Sequence, residues 1–152
     1  MMRSGIAAQS RKPSNALRRL AWFRYRVRRF LHFTERMARS CGVTPQQHQL
    51  LLGVAGYTGR GWATISELAE FLQGRHNAVV GLVQRAAQRG LVRKVQSERD
   101  RRFIRVYLTR IGAAVLDRIS RKNLTEFRAL QREMLLTSQP QPRDLPTSQG
   151  TR

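Results

Sequence analysis

The feature that most constrains the fold is a change of hydrophobic period in the middle of the chain. In residues 65–72 and 76–89 the apolar side chains recur at spacings of three and four, which is typical of one buried helix face. In residues 103–108 the side chains alternate between two faces, as in a strand: Ile104, Val106 and Leu108 on one, and Phe103, Arg105 and Tyr107 on the other. Gly90 stands where the second helix is expected to end. This order predicts two short helices joined by a tight turn and followed by a β-hairpin, whose first strand is 91–95.

Longer amphipathic helices are predicted on both sides of this unit. The first runs from Leu17 to Ser40, with an apolar stripe at helical spacing and most of its arginines off that stripe. Thr109 is placed to cap the second, which ends near Leu136. The first helix is longer than a small domain core needs, so part of its apolar face is expected to bury against another subunit.

Two capping boxes mark the starts of the inner helices. Thr44 stands three residues before Gln47, and Thr64 three residues before Glu67. In such a pair the threonine hydroxyl accepts from a helical amide, while the Gln or Glu side chain reaches back to the cap amide. The Gly-rich stretch between these helices, residues 56–62, is interpreted as a connecting loop.

The chain has 152 residues, enough for one domain with a substantial core. Residues 1–14 show no periodicity and residues 137–152 are rich in Pro, Ser, Gln and Thr, so we expect a disordered basic arm and a disordered tail. The predicted fold class for residues 15–136 is mainly α, formally α+β. It is a winged helix–turn–helix with a two-stranded wing and long N- and C-terminal dimerisation helices.

The net charge of +20 comes from 29 basic and 9 acidic residues, and 26 of the basic residues are arginine. It is unevenly distributed: +10 in residues 1–40, −1 in 41–74, +8 in 75–110 and +3 in 111–152. A surplus of this size needs a polyanionic partner, either nucleic acid or an anionic membrane. The second peak falls on the helix and hairpin described above, while the apolar stripe of the first helix is explained by dimer packing. Nucleic acid is therefore the favoured partner, and no membrane partner is expected.

Other residue types argue against export, metal binding and catalysis. Cys41 is the only cysteine, and no signal-peptide core follows the basic N-terminus, so a cytoplasmic, nucleoid-associated protein is expected. Cys41 lies by the apolar stripe and is interpreted as a packing residue rather than a redox sensor. His32, His48 and His76 lack Asp, Glu or Cys partners at ligand spacing. We therefore expect no metal, no cofactor and no enzymatic activity.

The second short helix has the chemistry of a DNA-reading element. Its N-terminal end carries Arg75, His76 and Asn77, and such an end meets base edges when a helix enters the major groove. Arg can bond guanine and Asn can bond adenine through two hydrogen bonds each. Arg85 is predicted to contact the DNA backbone. In the hairpin, Arg105 and the tip arginines are predicted to contact phosphates and the minor groove; the tip arginines are Arg99, Arg101 and Arg102.

These residues resemble the MarR-type transcriptional regulators. The resemblance covers about residues 17–136 and includes PQQHQLLL (45–52), ISELAEFL (65–72) and RHNAVVGLVQRAAQRGLV (75–92). The wing pattern D-x-R-x-x-x-V-x-L-T-x-x-G is carried, with every spacing kept, by Asp100, Arg102, Val106, Leu108, Thr109 and Gly112.

The resemblance implies a homodimer whose long terminal helices intertwine and whose two winged lobes read a pseudo-palindromic operator in double-stranded DNA. It implies that Asp100 orients a wing arginine by a salt bridge, although Asp100 can also simply neutralise nearby arginines. Many members are repressors relieved by small aromatic acids or phenols bound beside the dimer helices. Trp22, Phe30 and His32 are candidates for such an effector pocket, with a helix-surface role as the alternative for His32.

Two positions depart from the family pattern. Arg75 stands where a capping Ser is common, and Gly81 stands where Arg or another polar residue is common, which removes a phosphate contact. Two other functions therefore remain open. One is a non-specific basic protein that binds nucleoid DNA or RNA. The other is an interaction protein that has kept the fold and lost operator reading.

Overall fold

The computed structural model describes residues 14–97, 100 and 103–136. Five α-helices and three short strands follow one another along the chain. They are α1 (Asn15–Ser40), α2 (Pro45–Leu52), β1 (Trp62–Thr64), α3 (Ile65–Phe71), α4 (His76–Gln88), β2 (Val92–Gln96), β3 (Ile104–Leu108) and α5 (Arg110–Leu136). The predicted fold class is confirmed. The predicted arm (1–14) and tail (137–152) lie outside the described residues, except for Ser14, whose hydroxyl accepts from the Leu17 amide at the start of α1.

The sheet has one strand more than the predicted hairpin. β2 and β3 form the hairpin, and β1 pairs antiparallel with the other edge of β3, giving the order β1-β3-β2. The stretch 56–62, interpreted as a connecting loop, is irregular at residues 58–61 and overlaps an element at each end. A π-helical turn, Gly53–Tyr57, prolongs α2, and Trp62 begins β1. A strand of three residues is too short for an alternation of apolar and polar side chains to be recognised in the sequence. β1 is identified only by its pairing with β3.

The core lies where α2, α3, α4, β3 and α5 meet. Its largest fully buried side chains are Leu50, Leu51, Val54, Leu68, Val83, Val106 and Ile119. Both predicted capping boxes are present, with the Thr44 and Thr64 hydroxyls accepting from the amides of Gln47 and Glu67 at 3.1 and 3.3 Å. Cys41 is half-buried and packs against this core, as predicted.

The start of α5 is fixed to the end of α4. The Thr109 hydroxyl donates to the carbonyl oxygen of Gly90, and the Gly112 amide donates to the same hydroxyl at 3.0 Å. A Cβ atom added at Gly112 would lie 1.9 Å from the carbonyl oxygen of Leu91, so only glycine permits this approach. The Thr and Gly of the wing pattern therefore join two elements of the fold.

The two terminal helices pack against each other beyond this junction. Phe30 and Phe127 stack with ring centroids 6.2 Å apart, and Arg26 forms a salt bridge of 3.3 Å with Glu133. We call α1 and α5 together the stalk, and residues 43–109 the winged lobe. No helix in the described ranges has the length and apolarity that a membrane crossing requires.

Candidate nucleic-acid interface

One face of α4 is buried and the opposite face is exposed. Val79, Leu82, Val83 and Ala86 pack into the core. His76 and Asn77 are exposed at the N-terminal end, and Arg85 two turns further along. Arg75 precedes them in extended conformation, and its side chain makes no capping bond to α4. The structure thus brings together the four residues that the sequence assigned to this helix for DNA contact.

The same face contains two residues that the sequence analysis missed. Val80 is 40% exposed, and Gln84 is exposed one turn further along. They lie four and eight residues after His76, so they form a row along α4. A valine methyl suits the C5-methyl of thymine, and a Gln amide suits adenine. Continuing the helical spacing beyond Asn77 would have found both.

Gly81 opens a groove on this face. The groove has a volume of about 470 Å³ and lies between α4 and the side chains of Gln46 and Gln49 on α2. Asn77 and Arg85 line it on either side of Gly81. A Cβ atom at Gly81 would lie 3.2 Å from the Arg85 guanidinium, which shows how closely that side chain covers the glycine. Gly81, which has no side chain, thus lies in a hollow of the exposed surface.

The C-terminal end of α4 is held by a residue that the sequence did not single out. Arg89 donates to the Gln47 side-chain oxygen at 2.7 Å and to the Gly42 carbonyl oxygen at 2.6 Å. Gln47 is buried and also completes the first capping box through the Thr44 amide. Arg89 therefore ties α4 to the junction of α1 and α2, across more than 40 residues of sequence.

The wing tip lies largely outside the described residues. Three predicted DNA contacts, Arg99, Arg101 and Arg102, are outside the described residues. The predicted salt bridge of Asp100 with a wing arginine therefore stays a prediction. Asp100 itself is half-buried, and its carbonyl oxygen accepts from the Phe103 amide at 3.0 Å. The Ser97 amide donates to the Phe103 carbonyl oxygen at 2.9 Å, which closes the hairpin below the tip.

Arg105 is exposed on the outer face of the sheet, beside two aromatic rings. Its guanidinium lies 4.7 Å from the centre of the Trp62 ring, and that of Arg60 lies 4.0 Å from the same ring. Arg93 lies 4.4 Å from the Tyr107 ring, and Tyr107 pairs across the sheet with Trp62. These cation–π contacts orient arginines that would otherwise move freely in solvent. This arrangement was not predicted from the sequence, because β1 was not predicted.

Glu67 and His48 are among the ionisable groups of the winged lobe whose pKa values are shifted. The Thr64 amide bonds the Glu67 carboxylate at 2.8 Å and, together with Arg60 at 2.5 Å, holds the pKa of Glu67 below its usual value. Burial lowers the pKa of His48, because the charged imidazole would lose its hydration. In the described part of the chain, no cluster of three or more His, Cys, Asp or Glu residues could hold a metal ion.

The three residues of the candidate effector pocket lie apart in the stalk. Trp22 packs edge-on against Tyr25 at 5.4 Å, and His32 is exposed. Phe30 lines a cavity of about 150 Å³ between α1 and α5, and neither Trp22 nor His32 lines it. Of the three candidate side chains, Phe30 alone lines this cavity.

The sequence and the fold are both similar to those of known proteins. A family model described as MarR family matches residues 42–102. The fold is similar to that of AbsC, a MarR family transcriptional regulator from Streptomyces coelicolor, with a TM-score of 0.65, 21% identity, and coverage of 89% of this chain and 88% of that one. A MarR family protein from Bacillus stearothermophilus gives a TM-score of 0.66 at 19% identity, covering 79% and 82%. The chain has the MarR fold.

A third similar structure is a mutant MarR from E. coli complexed with operator DNA. It gives a TM-score of 0.61 at 17% identity, covering 75% of this chain and 80% of that one. A comparison with curated protein sequences finds no match. The resemblance to the MarR family is confirmed by the family match together with the fold.

Proposed function

We propose that this MarR-like protein is a dimeric, sequence-specific DNA-binding regulator of transcription that acts as a repressor in the cytoplasm. The observation that carries the proposal is the exposed face of α4. It presents Asn77, Val80 and Gln84 in helical register, with Arg85 on the same side and no acidic residue anywhere in α4. A similar fold has been solved with operator DNA, which supports the same partner for this chain.

The DNA-contacting residues fall into two groups. On α4, Arg75 and Asn77 suit guanine and adenine, Val80 suits thymine, and Arg85 suits a phosphate. The wing arginines contribute phosphate and minor-groove contacts, with Asp100 orienting one of them. The full proposed set is Arg75, His76, Asn77, Val80, Gln84, Arg85, Arg99, Arg101, Arg102 and Arg105.

The stalk supports a dimer. Many of its large apolar side chains remain exposed in the single chain, as an unpaired interface would leave them. They are Leu17, Leu20, Phe23, Leu31, Leu124, Phe127, Met134 and Leu135. A second copy that buries them would place two winged lobes on one pseudo-palindromic duplex.

A small aromatic acid or phenol is the proposed effector that relieves repression. Phe30 lines the cavity of about 150 Å³ in the stalk, beside Glu126 and the ion pair of Arg26 with Glu133. The ring of Phe30 suits an aromatic ligand, and the Glu126 carboxylate can accept a hydrogen bond from a phenol hydroxyl. This volume is below the usual 300 Å³ of ligand pockets, so Trp22 and His32 would join it only if the second copy completes the site.

The test is selection of bound sequences from a random duplex pool, followed by competition at physiological salt. A regulator prefers its operator to random duplex by about 10³ or more, and the selected motif is two-fold symmetric. Equal binding to both duplexes contradicts the proposal. It supports instead a non-specific protein that coats DNA or RNA, which the net charge of +20 alone would explain.

Two variants distinguish base reading from backbone attraction. Asn77→Ala is expected to cost about 1–3 kcal/mol of discrimination at one base pair of the selected operator. Arg101→Ala is expected to weaken binding to all duplexes about equally and to reduce the salt slope by about 1. The site assignment is wrong if both variants bind the operator and random duplex as the parent does.

A further inference from the structure

A row of arginines runs along one side of α1, from its N-terminal end towards the winged lobe. Arg18, Arg29 and Arg36 are spaced by 11 and 7 residues, which brings all three to the same side of the helix. All three side chains are exposed, and Arg29 also lines the cavity between α1 and α5. The row lies opposite Val27 and the apolar stripe of α1, so burial of that stripe against a second copy would leave the arginines in solvent.

The charge of this row is not neutralised in the described part of the molecule. Glu35 is the only acidic residue of α1, and it lies 3.8 Å from Arg39. Among the described residues, no carboxylate oxygen lies within 4.0 Å of Arg18, Arg29 or Arg36. By contrast, α5 mixes the two signs, as in the ion pair of Asp117 and Arg121. An uncompensated row of this kind attracts a polyanion.

The chemistry of the row favours nucleic-acid phosphate over a lipid surface. Every basic residue of α1 is arginine, whose planar guanidinium bonds phosphate oxygens in pairs. An amphipathic helix binds a membrane by inserting its apolar face into the lipid. In α1 only part of that face packs on α5, through Phe30 and Phe127, and the proposed second copy would cover the rest.

The N-terminal part of the row is distant from the reading helix. Gly112, near the start of α5, lies against Leu91 just after α4, while Glu133 near the other end of α5 bonds Arg26. These two positions are separated by about 30 Å along the helix axis, at 1.5 Å per residue. The distance exceeds the 12 Å or so of a major groove, so Arg18 and Arg29, which lie on either side of Arg26, are outside the groove that α4 enters.

We propose that the arginine row of α1 binds the phosphate backbone of a second DNA duplex while the winged lobes hold the operator. A protein bound in this way joins two segments of DNA. The inference rests on the proposed function for the occupancy of the lobes, and it accounts for basic residues at the N-terminal end that operator reading leaves unused.

The experiment is a two-duplex capture with the full chain. The selected operator is immobilised and saturated with protein, and a labelled duplex without the operator is then added at about 0.15 M salt. The wild type is expected to retain the label. The triple variant Arg18→Gln, Arg29→Gln, Arg36→Gln is expected to retain at least about tenfold less, with operator affinity within about twofold of wild type. A matched triple, Arg118→Gln, Lys122→Gln, Arg128→Gln, removes the same charge from exposed positions of α5 and is expected to retain the label.

Several outcomes overturn the inference. Equal retention by the wild type and the α1 triple variant does so, as does an equal loss in the matched variant, which would point to net charge alone. A shorter footprint of the α1 variant on the operator duplex would show that the row binds the same DNA molecule. Displacement of the label by phosphatidylserine vesicles, with tighter binding to them, would favour a membrane. A lack of operator preference would instead overturn the proposed function. Capture of the labelled second duplex can then still be measured with any duplex immobilised in place of the operator.

Discussion

The winged lobe and the stalk are built on different principles. In the lobe, polar side chains near α4 have defined partners: Thr44 with Gln47, Thr64 with Glu67, and Arg89 with the Gly42 carbonyl oxygen. In the stalk, large apolar side chains remain in solvent, with Leu17 at 61% and Leu135 at 87% exposed. The lobe is therefore complete within one chain, whereas the stalk needs a second surface to bury its apolar residues.

The difference teaches where each region derives its stability. The lobe's α2, α3 and α4 are short, so they depend on caps and on shared core contacts. The helices of the stalk have 26 and 27 residues, and their pairing depends on apolar burial that a single chain leaves unfinished. Disturbing the caps and core contacts of the lobe should unfold the protein. Disturbing the apolar contacts of the stalk should separate the two folded copies of the proposed dimer.

The largest effect is expected where the two regions join. Gly112→Ala places a Cβ atom against the Leu91 carbonyl oxygen, so α5 must move away from the lobe. We expect a loss of at least about 3 kcal/mol in the free energy of unfolding, measured by urea denaturation. Ala114→Gly, at an exposed position of the same helix, should cost only about 1 kcal/mol. Equal losses in the two variants would mean that the close approach at Gly112 contributes nothing.

The next effect sharpens the comparison from the side of the stalk. The double variant Leu20→Asn, Leu31→Asn should shift the protein from dimer to monomer by at least about tenfold in dissociation constant, since each leucine loses roughly 1.5 kcal/mol or more of burial. Sedimentation equilibrium measures the shift, and circular dichroism should show the helices unchanged. Leu52→Asn, an exposed leucine of α2, is the control and should leave the dimer intact. A dimer that survives the stalk variant would refute the proposed interface.

A smaller effect is expected at the contact that positions α4. Arg89→Lys keeps the charge but loses the two-pronged contact with Gln47 and Gly42, at a cost of about 1–3 kcal/mol in stability. Arg89 fixes the orientation of α4, and with it the position of Asn77. Operator discrimination should therefore fall more than binding to random duplex. A variant that loses stability while keeping its full discrimination would limit Arg89 to a structural role.

The smallest effect is a pH dependence confined to the lobe. The pKa of His48 is lowered by burial, so below its unfolded value of 6.5 the unfolded chain binds more protons than the folded one. Stability should therefore be complete above about pH 6.5 and fall as the pH drops through the folded pKa. His48→Gln should weaken the pH dependence of the thermal unfolding midpoint between about pH 7 and 5. The same slope in both proteins would exclude His48 as its source.

The sequence predicted the parts of the molecule that local signals determine. The starts of α2 and α3 follow from capping boxes, and the buried face of α4 follows from the spacing of Val79, Leu82 and Val83. Such signals act within a few residues, so they can be read without knowing the fold.

What the sequence did not predict depends on contacts between distant residues. β1 is identified by its pairing with β3, and Trp62 meets Arg105 only after that pairing. Arg89 could not be assigned a role before Gln47 was known to lie beside it. In the candidate site, Arg75, His76, Asn77 and Arg85 were named from the sequence. Val80 and Gln84 were missed, although the same helical spacing places them on the exposed face of α4.

The joint between Thr109, Gly112 and the end of α4 makes α5 a lever arm. The helix is about 40 Å long at 1.5 Å per residue, and its start touches the turn that follows α4. A tilt of about 5° at that joint would move the far end of such a helix by roughly 3 Å. Conversely, in the proposed dimer a shift of that size where two stalks meet would turn each α4 by a few degrees relative to the DNA.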